Sequence, residues 1–277
     1  KRQEMYRQAI IIINILLIAA SAFAGNNNGP TDYTFDECRG SANPYPAPES
    51  RMALPDTLSV IMINHLGRHG ARYETSPKRA NKIRATLIKA KKQNTLSAKG
   101  DSMLDIVNRT LELSKDNWGA LDSLGMKEQQ GIAARIYRAW PALVKNSHIE
   151  AISSYIPRCI MSMYEFTHKL SRIDDNVEIL TSSGKVNSPL MRPFAIDSAY
   201  LDIRKDAPWA KALDSFYKKN IPLEPVWRLV GHDTMNRDDA RQFAISLFGF
   251  LCGLNASGID GDFLAEFYTI CLLYTSD

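Results

Sequence analysis

Apolar positions recur along the chain with two different periods, and the period switches several times. Leu58-Ser-Val-Ile-Met-Ile-Asn64 is a short β-branched run, the pattern of a buried strand. It ends abruptly in Gly67-Arg-His-Gly-Ala-Arg72. From Lys78 to Lys92 the spacing turns helical, and a second helix fits Ser102–Leu113. Gly119–Gly125 reads as a loop, followed by a helix from about Lys127 to Trp140. His148–Ser153 predicts another strand, Arg158–Leu170 a helix, and Val177–Leu180 a third strand. Strands alternating with helices imply βαβ units on a mainly parallel sheet. Beyond Asp206 the pattern is helical, over Trp209–Lys219 and Asp239–Leu251, as in an insertion outside the sheet. The expected fold is therefore a three-layer α/β sandwich with a mainly parallel central sheet and a helical insertion. Residues 25–205 would form the core and 206–269 the start of the insertion.

The two ends change that picture. Arg7 precedes an apolar run, Ala9–Ala20, and small residues Ala22 and Ala24 follow it. A basic flank, a short apolar stretch and an Ala-x-Ala-like site describe a secretory signal peptide over residues 1–24, with Met5 as the natural start. The run is shorter than the roughly 20 residues that span a bilayer. Secreted or periplasmic protein, with no membrane anchor after cleavage, is the expectation. At the other end, Cys-Leu-Leu-Tyr-Thr-Ser-Asp resembles the translation of a sequencing adapter. Residues 270–277 are thus expected to be a non-native tail, and the α/β core to be incomplete at its C-terminus.

Composition narrows the class only a little. The 277 residues are 45% hydrophobic and 23% charged, and the formal charge is +4. Removing Lys1, Arg2 and Arg7 together with Glu4 takes away a net two charges, leaving about +2. So weak and unclustered a basic balance argues against a nucleic-acid partner. Cys38, Cys159, Cys252 and Cys271 allow three disulfide connectivities, and spacing does not choose among them. No Cys-x-x-Cys pair or His/Cys cluster suggests a metal, and no cofactor is expected.

The chemistry concentrates at Arg68, His69 and Arg72. In a parallel α/β sheet, ligands bind beyond the carboxyl ends of strands. Two arginines bracketing one histidine suit phosphate, because guanidinium groups donate paired hydrogen bonds to phosphate oxygens. A neutral imidazole between them can attack phosphorus directly. The arginines would also stabilise charge on the equatorial oxygens of the transition state. Nearby, Lys78, Arg79, Lys82, Arg84, Lys89, Lys91 and Lys92 read equally as part of a polyanion pocket or as a solvated helix face. His65, His148 and His168 read as structural.

Arg68-His69-Gly70-Ala71-Arg72 resembles the signature of the histidine acid phosphatases, a branch of the histidine phosphatase superfamily. The wider context is similar to their multiple inositol polyphosphate phosphatase subgroup, especially its bacterial members. The likeness rests on Tyr45-Pro-Ala-Pro, on Asn64 to Tyr73, on Gly119-Ala-Leu-Asp-Ser-Leu-Gly125 and on Ser153 to Phe166. Leu190-Met-Arg-Pro-Phe194 adds to it.

The resemblance implies a phosphomonoester hydrolase with a phosphohistidine intermediate, acting on inositol polyphosphates. It makes His69 the nucleophile, makes Arg68, Arg72 and Arg158 phosphate ligands, and lets Thr75 touch the phosphate. Two positions depart from the family: Glu74 stands where proline is usual, and Asp122 where threonine is usual. The family's leaving-group acid is a C-terminal His-Asp, or His-Ala-Glu in the subgroup. Gly231-His232-Asp233 matches the first form textually, but the resemblance places that stretch inside a mid-chain insertion. His232 is therefore expected to be a bystander. Two other readings share the motif: a generic acid, phosphoglycerate or sugar phosphatase, and a non-catalytic phosphate-binding module.

Overall fold

The computed structural model describes residues 39–48, 55, 57–145 and 147–259. The expected signal peptide, the expected tail, Cys38 and Cys271 lie outside these residues.

Where the sequence offers a strong cap, the helix begins at it. Helix α1 spans Lys78–Lys92 and turns Ala80, Ile83, Leu87 and Ala90 inward, all on one face. Helix α2 spans Ala98–Leu113 and starts earlier than its apolar spacing suggests. Ser97 is the reason: its side chain accepts a hydrogen bond from the Gly100 N–H at 3.1 Å. The same holds for α3, Ser123–Ala139, whose cap Asp122 accepts from the Gly125 N–H at 2.7 Å. A short helix α4 over Pro141–Val144 leads into strand β1, His148–Ser153.

Helix α5, Pro157–Ile173, carries Pro157 in its first turn, where the missing N–H costs nothing. It returns the chain to strand β2, Glu178–Ser183, which pairs with β1 in parallel from His148 against Glu178 to Ser153 against Ser183. This is the βαβ unit that the alternation of periods implies. Helices α6 (Ser188–Met191), α7 (Ser198–Asp206), α8 (Ala210–Asn220), α9 (Glu224–Val230) and α10 (Arg237–Cys252) follow. The architecture is mostly helical, with a small two-stranded parallel sheet.

One element differs from expectation. Leu58–Asn64 is not a strand, and Ile61 is 88% exposed. A strand buried on both faces needs neighbours to pair its backbone and layers to cover its side chains. Among the described residues, β1 and β2 pair only with each other. Their inner positions alternate with exposed ones, so one face alone is covered. The β-branched run has the composition of a strand without the partners. His69 therefore follows an irregular segment rather than a strand end.

Two apolar clusters hold the described chain together. The larger joins Ile83 and Leu87 of α1, Met103 and Val107 of α2, Leu229 of α9, and Leu247 and Phe250 of α10. Each such side chain, fully buried, contributes about 1.5–3 kcal/mol. Helices α9 and α10 thus share a core with α1 and α2, far earlier in the sequence. The smaller cluster joins Ala133 of α3, Val144 of α4 and Leu170 of α5 to Val177, with Ile149 and Ile179 of the strands against it. No helix among the described residues is long and apolar enough to cross a membrane.

Candidate active site

The segment Arg68–Thr75 has no regular structure of its own, so neighbouring elements must satisfy its backbone. The Gly70 N–H donates to Ser162 Oγ of α5 at 3.1 Å, and that hydroxyl donates to the Arg158 carbonyl at 2.8 Å. Glu128 of α3 accepts from the Ala71 N–H at 2.7 Å and, with its other oxygen, from the Tyr45 N–H at 2.8 Å. Gln129 donates to the Arg68 carbonyl at 3.2 Å. Tyr73 N–H donates to the Ala120 carbonyl, Asp122 N–H to Ala71, and Gly119 N–H to Glu74. The motif is a loop fixed along its length by α3 and α5.

Glycine is required where this loop meets α3. A Cβ on Gly70 would lie 2.4 Å from the Gly125 carbonyl oxygen, and one on Gly125 would lie 2.2 Å from that of Ala71. The two backbones touch, and no side chain fits between them. Gly119 favours glycine through its backbone, with φ at +76°; a Cβ there would make ordinary contacts, 3.7 Å from Thr75 Cα and 4.0 Å from Arg158 Nη1. Thr75 and Arg158 thus both lie beside the backbone of Gly119.

Around the His69 ring lie Arg158, Arg72 and Arg68, whose charges all act on it. Among the described residues none of these arginines forms an ion pair with a carboxylate. The Nε atoms of Arg72 and Arg158 are buried without a hydrogen-bond partner. Arg72 Nη1 donates to the Tyr73 carbonyl at 2.8 Å, which aims the rest of the fork. Burial, then the charges of Arg158 and Arg68, lower the Arg72 pKa. Three cations acting on one ring, two of them with a buried donor unspent, can hold an anion.

His69 Nδ1 lies 2.8 Å from the Gly70 carbonyl oxygen, which can only accept. Nδ1 therefore carries the proton and Nε2 presents its lone pair. Burial is the first cause that lowers the His69 pKa below 6.5, and the charges of Arg158, Arg72 and Arg68 add to it, against the opposing hydrogen bond to Gly70. A lowered histidine pKa keeps the ring neutral, hence nucleophilic, further into the acidic range. Ring-proton NMR of the free protein should show His69 titrating below 6.5. Arg158→Met removes one lowering charge, so the midpoint should rise, though not to 6.5, because burial remains. An unmoved midpoint would place Arg158 too far from the ring to matter.

The remaining expected residues sort by position. The basic stretch spreads around α1: Arg84 bonds Asn108, Lys91 pairs with Asp101, and Lys89 donates to the Thr234 carbonyl. Only Arg79 turns to the motif loop, pairing with Glu74 at 2.8 Å. His232 stacks on Trp227 at 5.1 Å and lines a cleft with Glu224, Met235 and Arg237 that contains none of the three arginines. His65 stacks on Phe166, and His148 pairs with Glu178 across the start of the sheet. Cys159 is a free thiol. Among the described residues no group of His, Cys, Asp and Glu is arranged to hold a metal.

Glu128, Gln129 and Gly125 position the loop, yet nothing in the sequence singles them out by residue type. Their one signal is place, in the first turns of a helix that follows a glycine-rich loop. No model of a known protein family matches the chain, and no curated protein matches it.

Proposed function

We propose that this chain is a phosphomonoester hydrolase that forms a phosphohistidine on His69, with inositol polyphosphates as its substrates. The observation that carries the reading is the His69 ring, neutral and oriented by Gly70, among three arginines that have no carboxylate partner among the described residues. In the mechanism, Arg68, Arg72 and Arg158 grip the non-bridging oxygens of a phosphate group, with Thr75 at its margin. His69 Nε2 attacks phosphorus, and the bond to the leaving alkoxide breaks as a proton reaches that oxygen. Water then attacks phosphorus, releasing inorganic phosphate and restoring the ring. The resemblance assigns the proton donor to a His-Asp or His-Ala-Glu motif, and does not assign it to His232-Asp233. The separate cleft of His232 supports leaving it out of the reaction. The same reading implies a three-layer sandwich in which β1 and β2 are two strands of a larger parallel sheet, with secretion as its setting. The parallel pairing of β1 and β2 across α5 supports that.

Trapping tests the proposal. Brief exposure to a labelled aryl phosphate, followed by alkaline quenching, should leave label that is stable in base and lost in acid. An aryl leaving group needs little protonation, so the result does not depend on the proton donor. Inositol hexakisphosphate should compete with the labelling at lower concentration than a simple sugar phosphate. Phosphate binding without any covalent label would leave a binding module in place of an enzyme.

A further inference from the structure

Glu74 is the anomaly of the site. It lies two residues after Arg72, its side chain is only 24% exposed, and its charge and that of Arg72 act on each other. A half-buried carboxylate beside a cluster of arginines ordinarily pairs with one of them, which would oppose an incoming anion. Here it does not. Arg79 Nη1, in the first turn of α1, holds Glu74 Oε1 at 2.8 Å instead.

Two glycines from the far end of the sequence make room for that pair. A Cβ on Gly249, in the last turn of α10, would lie 2.7 Å from Arg79 Nη1 and 3.0 Å from its Cζ. A Cβ on Gly253, just past that helix, would lie 3.6 Å from Glu74 Oε1. The guanidinium rests in a notch at the C-terminal end of α10, where the last carbonyls favour a cation. The Gly119 N–H fixes the Glu74 carbonyl from the other side.

We propose that Arg79 is a positioning residue: seated in the Gly249 notch, it keeps Glu74 off Arg72 and so preserves the positive charge of the anion site. This rests on the phosphate-site reading and deepens it. As an ion pair the contact adds little stability, since Arg79 is 44% exposed. Its effect is on the field at the site, where one uncompensated carboxylate acts against a dianion. The arrangement also ties the anion site to the docking of α10 against α1.

The test is calorimetric titration of the full chain with inorganic phosphate at low salt. Arg79→Gln releases Glu74 towards Arg72 and should weaken phosphate binding on the order of tenfold. Glu74→Gln alone should not weaken it, and adding Glu74→Gln to Arg79→Gln should restore the wild-type affinity. Gly249→Ala displaces the guanidinium without removing it, and should weaken binding in a way that Glu74→Gln also repairs. Unchanged affinity in Arg79→Gln overturns the proposal. So does equal weakness of Arg79→Gln with and without Glu74→Gln, which would make Arg79 a direct ligand. A wild-type chain that binds no phosphate overturns the anion-site reading itself, and the role of Arg79 with it.

Discussion

His69→Ala should abolish covalent labelling and lower turnover of an aryl phosphate by on the order of 10⁴-fold or more, the scale seen when a nucleophile is deleted. The reason is local. The Ser162 hydroxyl nearby is spent on the Gly70 N–H and the Arg158 carbonyl, and the guanidinium groups cannot themselves attack phosphorus. Affinity for inorganic phosphate should survive, because Arg68, Arg72 and Arg158 remain. The loss of the ring leaves space beside Gly70, so added imidazole should restore part of the turnover without restoring any label on the protein. Rapid-quench labelling and a steady-state assay on the same preparation check both halves. Retained labelling would mean that a different residue is phosphorylated, and the assignment of His69 would fall.

Gly125→Ala should be the most damaging substitution outside the reacting residues. A Cβ there would sit 2.2 Å from the Ala71 carbonyl oxygen, 2.6 Å from its nitrogen and 2.8 Å from Leu121 Cδ1. Two of those three atoms are backbone and cannot swing away. The motif loop or the start of α3 must shift, at a cost of about 3 kcal/mol. That corresponds to a fall of roughly 6–12 °C in melting temperature. Phosphate affinity should drop too, because a displaced Ala71 carries Arg72 with it. Gly131→Ala, two turns further along α3, is the control. A Cβ there meets only the flexible end of Arg135, at 3.2 Å, and helix propensity favours alanine by about 0.5–1 kcal/mol. Thermal melts of the two variants should move in opposite directions. If they fall together, the contact between Gly125 and Ala71 is not what holds the loop.

Local signals carried much of the fold. The inward face of α1 is written in the spacing of Ala80, Ile83, Leu87 and Ala90, and β1 keeps the bounds its pattern predicts. Helix starts were less legible: apolar spacing begins α2 at Ser102 and α3 near Lys127, whereas the caps Ser97 and Asp122 begin them earlier. The run Leu58–Asn64 misled because β-branched composition reports fitness for a sheet, whereas a strand also requires partners. Val226–Val230, the apolar stretch leading into His232, is helical, with Pro225 in its first turn.

At the site, Arg68, His69 and Arg72 were readable because they fall within five residues of sequence. Arg158 was not readable as chemistry on its own, since an arginine early in a helix is ordinarily solvated. Resemblance supplied it, and the charges on His69 are the physical counterpart. Glu128, Ser162 and the Gly249 notch depend on long-range contacts, and no local rule marks them.

The hydrogen bond from His69 Nδ1 to the Gly70 carbonyl has a chemical consequence beyond orientation. With that nitrogen occupied, a phosphoryl group has only the τ position of the ring open to it. The proposed intermediate is then the τ isomer of phosphohistidine and not the π isomer. The choice of regioisomer is made by one backbone carbonyl, on the glycine whose missing side chain lets the loop lie against α3.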